Sequence, residues 1–147
     1  MATTWILVAH GSAAKILSVK KNGQEISLEK EFIHPQTAKK IPRVPQASAT
    51  KSSIHHAMDY SGEYEAHERQ AFARELIEHL NKALMKQEFN TLILVISRSL
   101  LGEIRKTLPH NLKDAIAHQL DKDLLPQNLS DFELVEKIRT DLGLAHL

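Results

Sequence analysis

The chain has 147 residues, 42% hydrophobic and 25% charged, with a formal net charge of +1 and no cysteine. That length suits one domain with a core of its own, and the composition is ordinary for a soluble globular protein. Without cysteine there are no disulfides, no thiolate nucleophile and no cysteine-based zinc or iron–sulfur site.

"TWILVAH", Thr4 to His10, is a short apolar run rich in β-branched and aromatic residues and ended by Gly11. It reads as a strand buried on both faces. "AAKILSVKKNG" follows, and Asn22-Gly23 supplies the left-handed positions of a two-residue type I′ turn. In "QEISLEKEFIH", Ile26, Leu28 and, less regularly, Phe32 point one way and Glu25, Ser27 and Glu29 the other. Three sequential antiparallel strands are the simplest account.

Pro35 to Ser61 holds three of the five prolines, is rich in Ser, Thr, Ala and Lys, and shows no sustained periodicity. It is too long for an ordinary connection and is expected to be either functional or mobile. From Phe32 to Met58 there is no Asp or Glu, while Lys39, Lys40, Arg43 and Lys51 all fall there. The segment carries +4, so the rest of the chain sums to +1 − 4 = −3, a basic loop on a mildly acidic body.

The periodicity then predicts a long helix from about Glu63 to Lys86. Phe72, Leu76, Leu80 and Leu84 recur at four, Ala73 and Ile77 widen the stripe, and Arg69, Arg74, Glu75, Glu78 and Lys82 fill the outer face. "TLILVIS", Thr91 to Ser97, is a second buried strand running into a helix over "RSLLGEIRKTLP", with Pro109 as its stop. "NLKDAI" reads as a short helical turn and the later part of "AIAHQLDKDL" as a strand. The last helix has a capping box at Ser130 and Glu133, a face of Phe132, Val135, Ile138 and Leu142, and Gly143 at its end. The order βββ–loop–αβαβα predicts a single α/β domain over 1–147, with a mixed central sheet and flanking helices.

The N-terminus has no charged region before its short apolar run, and nowhere do 18 apolar residues run together. The expectation is a soluble, cytoplasmic protein without a signal peptide or membrane span.

Four features of the sequence bear on its chemistry. In "SSIHHAMDYSGEYEAHERQ", the side chains of His55, His56, Asp59, Glu63 and His67 are able to ligate a metal. "HERQA" lacks the second histidine of an HExxH pair, and acids at Glu63 and Glu65 suit the start of a helix electrostatically. No metal and no cofactor are therefore expected. "SRS", Ser97 to Ser99, joins a strand to a helix where backbone N–H groups and Arg98 suit an anion, although Ser is also a favoured N-cap. The basic segment suits a phosphate backbone, although no aromatic residue lies between Pro35 and Met58 to stack on a base. Trp5, in an early strand, is expected in the core.

"TWILVAHGSAAKI", "EAHERQAFARELIEHL", "LILVISRSLLGEIRKTLP" and "LDKDL", in this order and spacing, resemble the bacterial host attachment protein family from Thr4 to about Leu142. These are framework pieces, with no catalytic signature among them. The family is similar in plan to the central domain of archaeal and eukaryotic peptide-chain release factors and Pelota. That likeness implies a ribonuclease-H-like α/β fold with a long loop ahead of the long helix. In release factors the loop carries a Gly-Gly-Gln motif that triggers peptidyl-tRNA hydrolysis. Here only Gly62 falls at that place, and Gln70 lies inside the predicted helix, which argues against termination activity.

Two functions follow as expectations. The first is a non-catalytic binding protein that meets ribosomes or structured RNA through Lys39, Lys40, Arg43, Lys51, His55, His56 and Arg98. The second is a hydrolase of peptidyl-tRNA or a related ester, using His55, His56 or Asp59. Against the enzyme stand the missing Gly-Gly-Gln, GxSxG elbow, cysteine and metal motif. A direct adhesin is disfavoured by the expected lack of an export signal.

Overall fold

The computed structural model describes residues 3–11, 13–33, 51–145 and 147; the side chains of Asn22 and of residues 51–65 fall outside that description. Five strands form one mixed sheet in the order β3-β2-β1-β4-β5. β1 (Thr4–His10), β2 (Ala13–Lys20) and β3 (Glu25–Ile33) pair antiparallel in sequence. On the other side of β1, β4 (Thr91–Ile96) and β5 (Ile116–Leu120) run parallel to it. Helices α1 (Lys51–Met85), α2 (Arg98–Thr107), α3 (His110–Ala115) and α4 (Asp131–Leu142) complete the α/β domain that the sequence predicts.

Strand alternation sorts the core into two layers. Trp5, Leu7, Ala9, Leu92, Leu94 and Ile96 face α1 and α2, among Phe72, Leu76, Leu80, Leu100 and Ile104. Ile6, Val8, Leu17, Val19, Ile93 and Val95 face α4, among Leu134, Val135 and Ile138. A strand covered on both faces has no solvent side, which is why β1 and β4 read as unbroken apolar runs. Trp5 is 2% exposed, in the core as expected.

Four local readings change. β3 does not keep one apolar face. Leu28 pairs with Leu17 and Lys30 with Ile16, so the extra residue Glu29 makes a bulge. A bulge shifts the alternation by one. Ile26 therefore packs on the α4 side and Phe32 on the α1 side. The β2–β3 turn is longer than a two-residue type I′ turn. Lys20 pairs with Glu25 across a 3-10 turn at Lys21–Gly23, with Lys21 at φ 54 and Gly23 at φ 93.

β5 is the earlier part of its segment, Ile116–Leu120, because α3 ends at Ala115 and the chain passes straight into the strand. On α4, Phe132 is 63% exposed, whereas Leu134, Val135 and Ile138 are buried. At 3.6 residues per turn, Phe132 falls roughly 100° from the middle of that buried arc.

The long helix also starts earlier than its periodicity suggests, at Lys51 rather than Glu63. It runs through Ser61 and Gly62, although glycine inside a helix costs about 1 kcal/mol relative to alanine. Among the described side chains of α1 the buried ones run from Phe72 to Ala83, within the predicted apolar stripe. At 1.5 Å per residue, 35 residues span about 52 Å, against roughly 23 Å for the seven residues of β1. Much of α1 therefore extends beyond the sheet it covers.

Candidate functional site

In open α/β sheets, ligands meet the edge where parallel strands end at their carboxyl termini. Here that edge is formed by His10 of β1, Ser97 after β4 and Asp121 after β5. β3 ends on the same side, since Ile33 pairs with Ala13 and Ala13 with His10.

β4 passes into α2 without a loop. Ser97 stays extended, at φ −59 and ψ 150. Its N–H donates to the Ala9 carbonyl at 3.2 Å, and its carbonyl accepts from Leu101 N–H at 2.9 Å. Ser97 stands at the N-cap position, but its side chain makes no capping bond, and its Oγ is buried with no hydrogen-bond partner. The first-turn N–H groups of α2 thus receive no side-chain cap.

Arg98, the first residue of α2, is 90% exposed at its side chain and donates from Nε to Asp121 Oδ2 at 2.9 Å. That hydrogen bond, with the attraction of the carboxylate, holds the guanidinium above its ordinary pKa. The sequence singled out Arg98 but missed its partner; the only signal was the acid-rich "LDKDL" after β5. Arg105 continues the same α2–β5 seam, donating to Gln119 Oε1 from Nη2 at 2.9 Å and Nε at 3.3 Å.

On the α4 side, Lys15 Nζ meets Asp131 Oδ1 at 3.3 Å. Among the described residues, Arg98 and Lys15 at this edge are each matched to an acid. An anionic ligand would exchange with Asp121 rather than fill an empty cationic hole.

The other proposed RNA contacts are not among the described side chains. Lys39, Lys40 and Arg43 lie outside the described residues. Lys51, His55 and His56 belong to the first turns of α1, and their side chains lie outside the description. The same holds for Asp59 and Glu63, while His67 is exposed on α1. Among the described residues no group of three or more His, Cys, Asp or Glu is placed to hold a metal ion. Nor, among them, is any helix long and apolar enough to cross a membrane.

A family profile described as "Protein required for attachment to host cells" matches residues 5–134, and the chain belongs to that family. Two solved structures match the chain at low similarity. One is an archaeal translation termination factor, aRF1, at 10% identity and a TM-score of 0.44, matched over 96% of this chain and 39% of that one. The other is described only as an archaeal protein, at 11% identity and a TM-score of 0.44, matched over 96% and 40%. The chain thus spans about two fifths of the length of either. No curated protein matches it significantly.

Proposed function

We propose that this member of the host attachment family is a cytoplasmic, non-catalytic binding protein on a ribonuclease-H-like plan, acting as a single domain over 1–147. Its partner is the ribosome or structured RNA, met through the basic segment at about 35–61. The observation that carries the reading is the uneven charge. Lys39, Lys40, Arg43 and Lys51 lie in a run without Asp or Glu on a chain that is otherwise net acidic. A phosphate backbone selects for such a stretch by counterion release, without needing base readout. His55 and His56 add charge as pH falls, and Arg98 joins if phosphate displaces Asp121. An attachment phenotype then arises indirectly, through expression of surface structures. The hydrolase alternative rests on His55, His56 or Asp59, whose side chains lie outside the description.

The test is sedimentation of the tagged protein with ribosomal fractions at low and high salt, with binding to structured RNA in parallel. Four phosphate contacts predict a log–log salt slope of about −3 on a single strand. Replacing Lys39, Lys40, Arg43 and Lys51 together by Gln flattens the slope and abolishes binding while the fold is retained. Unchanged binding in that variant moves the contact to another surface. No binding at any salt overturns the proposal.

A further inference from the structure

His79 sits where α1 meets two strands. Its ring stacks on Trp5 of β1, with centroids 6.2 Å apart and 17° between planes, and meets Phe32 of β3 edge-on at 5.4 Å. Trp5 in turn stacks on Phe89 at 4.8 Å. One imidazole thus joins the long helix, a central strand and an edge strand.

β3 is held by its ladder to β2 and by Ile26 on the α4 side, and on the α1 side the contact to Phe32 adds to these. β3 is an edge strand, and Phe32 is its one buried residue. The charges acting on His79 come from each element around it. Lys30 lies on β3, with its Nζ 5.1 Å from the Phe32 ring centroid; Lys82 and Lys86 follow on and just after α1; Glu88 comes from the turn leading to β4. β1 contributes only the neutral Trp5, and Glu75, one turn earlier on α1, is exposed. Among the described residues, three cations and one acid act on the ring electrostatically.

We propose that His79 is a pH-sensitive latch, holding β3 against α1 while neutral and letting the strand loosen when protonated. A neutral imidazole packs here as one more aromatic ring. An imidazolium must give up water in a partly buried place and adds a fourth cation. An aromatic face attracts a cation, which works the other way: Phe32 at 5.4 Å is within reach of that attraction and Trp5 at 6.2 Å is at its limit. The cost of burial and the three lysines have to outweigh it. Burial first, and Lys30 second, hold His79 below the ordinary imidazole pKa. The sign follows. The unfolded chain binds this proton more readily, so the contact is fully present above about pH 6.5 and is lost as pH falls through the lower folded value.

Trp5 is the only tryptophan, so its fluorescence reports on this contact. The experiment follows Trp5 emission and amide hydrogen exchange in the full chain from pH 8 to pH 5, corrected for intrinsic exchange. The expected result is Trp5 quenching with a midpoint below pH 6.5, together with a selective loss of protection in β3 relative to β4. Each unit of separation between folded and unfolded pKa gives about a tenfold loss at the acid limit. His79→Phe keeps an aromatic ring without the charge and should abolish both changes. His79→Gln serves if thermal melting shows that the Phe variant is not folded. Quenching with unchanged β3 protection overturns the latch, as does equal loss in β3 and β4, or a β3 loss that persists in the variants.

Discussion

At the start of α4, Ser130 Oγ accepts from Glu133 N–H at 3.2 Å while Ser130 N–H donates to Glu133 Oε1 at 3.0 Å. At the start of α2, Ser97 occupies the equivalent position with its Oγ buried and unpaired. The next residue differs as well: Asp131 opens α4 and Arg98 opens α2. The first turn of a helix carries positive partial charge, which favours Asp131 and opposes Arg98. α4 therefore begins where its own sequence places the start. α2 begins where the sheet puts it, with Ser97 N–H held by Ala9, Leu100 and Leu101 buried, and Asp121 brought across to answer Arg98.

Packing is the larger contribution at both starts, and it gives the largest expected effect. Leu100 is fully buried and Leu134 is 2% exposed, each near the beginning of its helix. Leu100→Ala and Leu134→Ala should each cost about 2–5 kcal/mol in chemical denaturation. If Leu100→Ala proved nearly neutral, the start of α2 would not rest on the core.

The serines should then separate the two starts. Ser130→Ala removes the Oγ that accepts from Glu133 N–H, while the backbone N–H of residue 130 can still donate to Glu133, and should cost about 1 kcal/mol. Ser97→Ala removes a hydroxyl that bonds to nothing and should stay within about 0.5 kcal/mol of the wild type, or stabilise it. Equal losses in thermal or chemical denaturation would erase the distinction.

The same contrast explains what could be read from the sequence. Ser130 with Glu133 and Gly143 is a local signature; the capping box forms, and Gly143 takes φ 71 at the helix end. Buried strands were equally legible, because a strand covered on both faces shows its burial in every residue. Features that depend on distant partners were not. Nothing near Arg98 announces Asp121, and nothing near His79 announces Trp5 and Phe32, which lie far away in sequence. The bulge at Glu29 is hidden because one extra residue reverses a pattern without changing its composition. The early part of α1 lacks an apolar stripe, so periodicity placed its start at the packed portion. The basic run remains legible only as charge, and a count of charges names a class of partner without showing a contact.

Acid should distinguish the two starts again, more weakly. Glu133 is fully exposed, yet its hydrogen bonds with the Ser130 backbone and then its side chain hold its carboxyl below the usual range. A carboxyl whose folded pKa is depressed contributes stability that is complete above its unfolded value, near 4.5, and is lost as pH falls through the folded one. Thermal melts from pH 7 to pH 3 should show a smaller acid loss in Glu133→Gln than in the wild type. An identical acid loss would mean that this half of the capping box contributes nothing in solution.

The smallest effect is expected at Arg98 and Asp121. Their pair is on the surface, and exposed pairs contribute little and are screened by salt. Arg98→Gln removes the attraction to Asp121 and the unfavourable charge at the helix start together, so the two changes should nearly cancel. Asp121→Asn removes only the attraction, leaving Arg98 unanswered at the positive end of α2. It should lower the melting temperature slightly at low salt and not at all at high salt. The same variant sharpens the proposed partner, because Arg98 freed from Asp121 becomes available to phosphate. If Arg98 belongs to the RNA-facing surface, Asp121→Asn should strengthen binding to structured RNA at low salt, and Arg98→Gln should remove that gain. Binding that ignores both substitutions would leave Arg98 as a residue concerned only with the seam between α2 and β5.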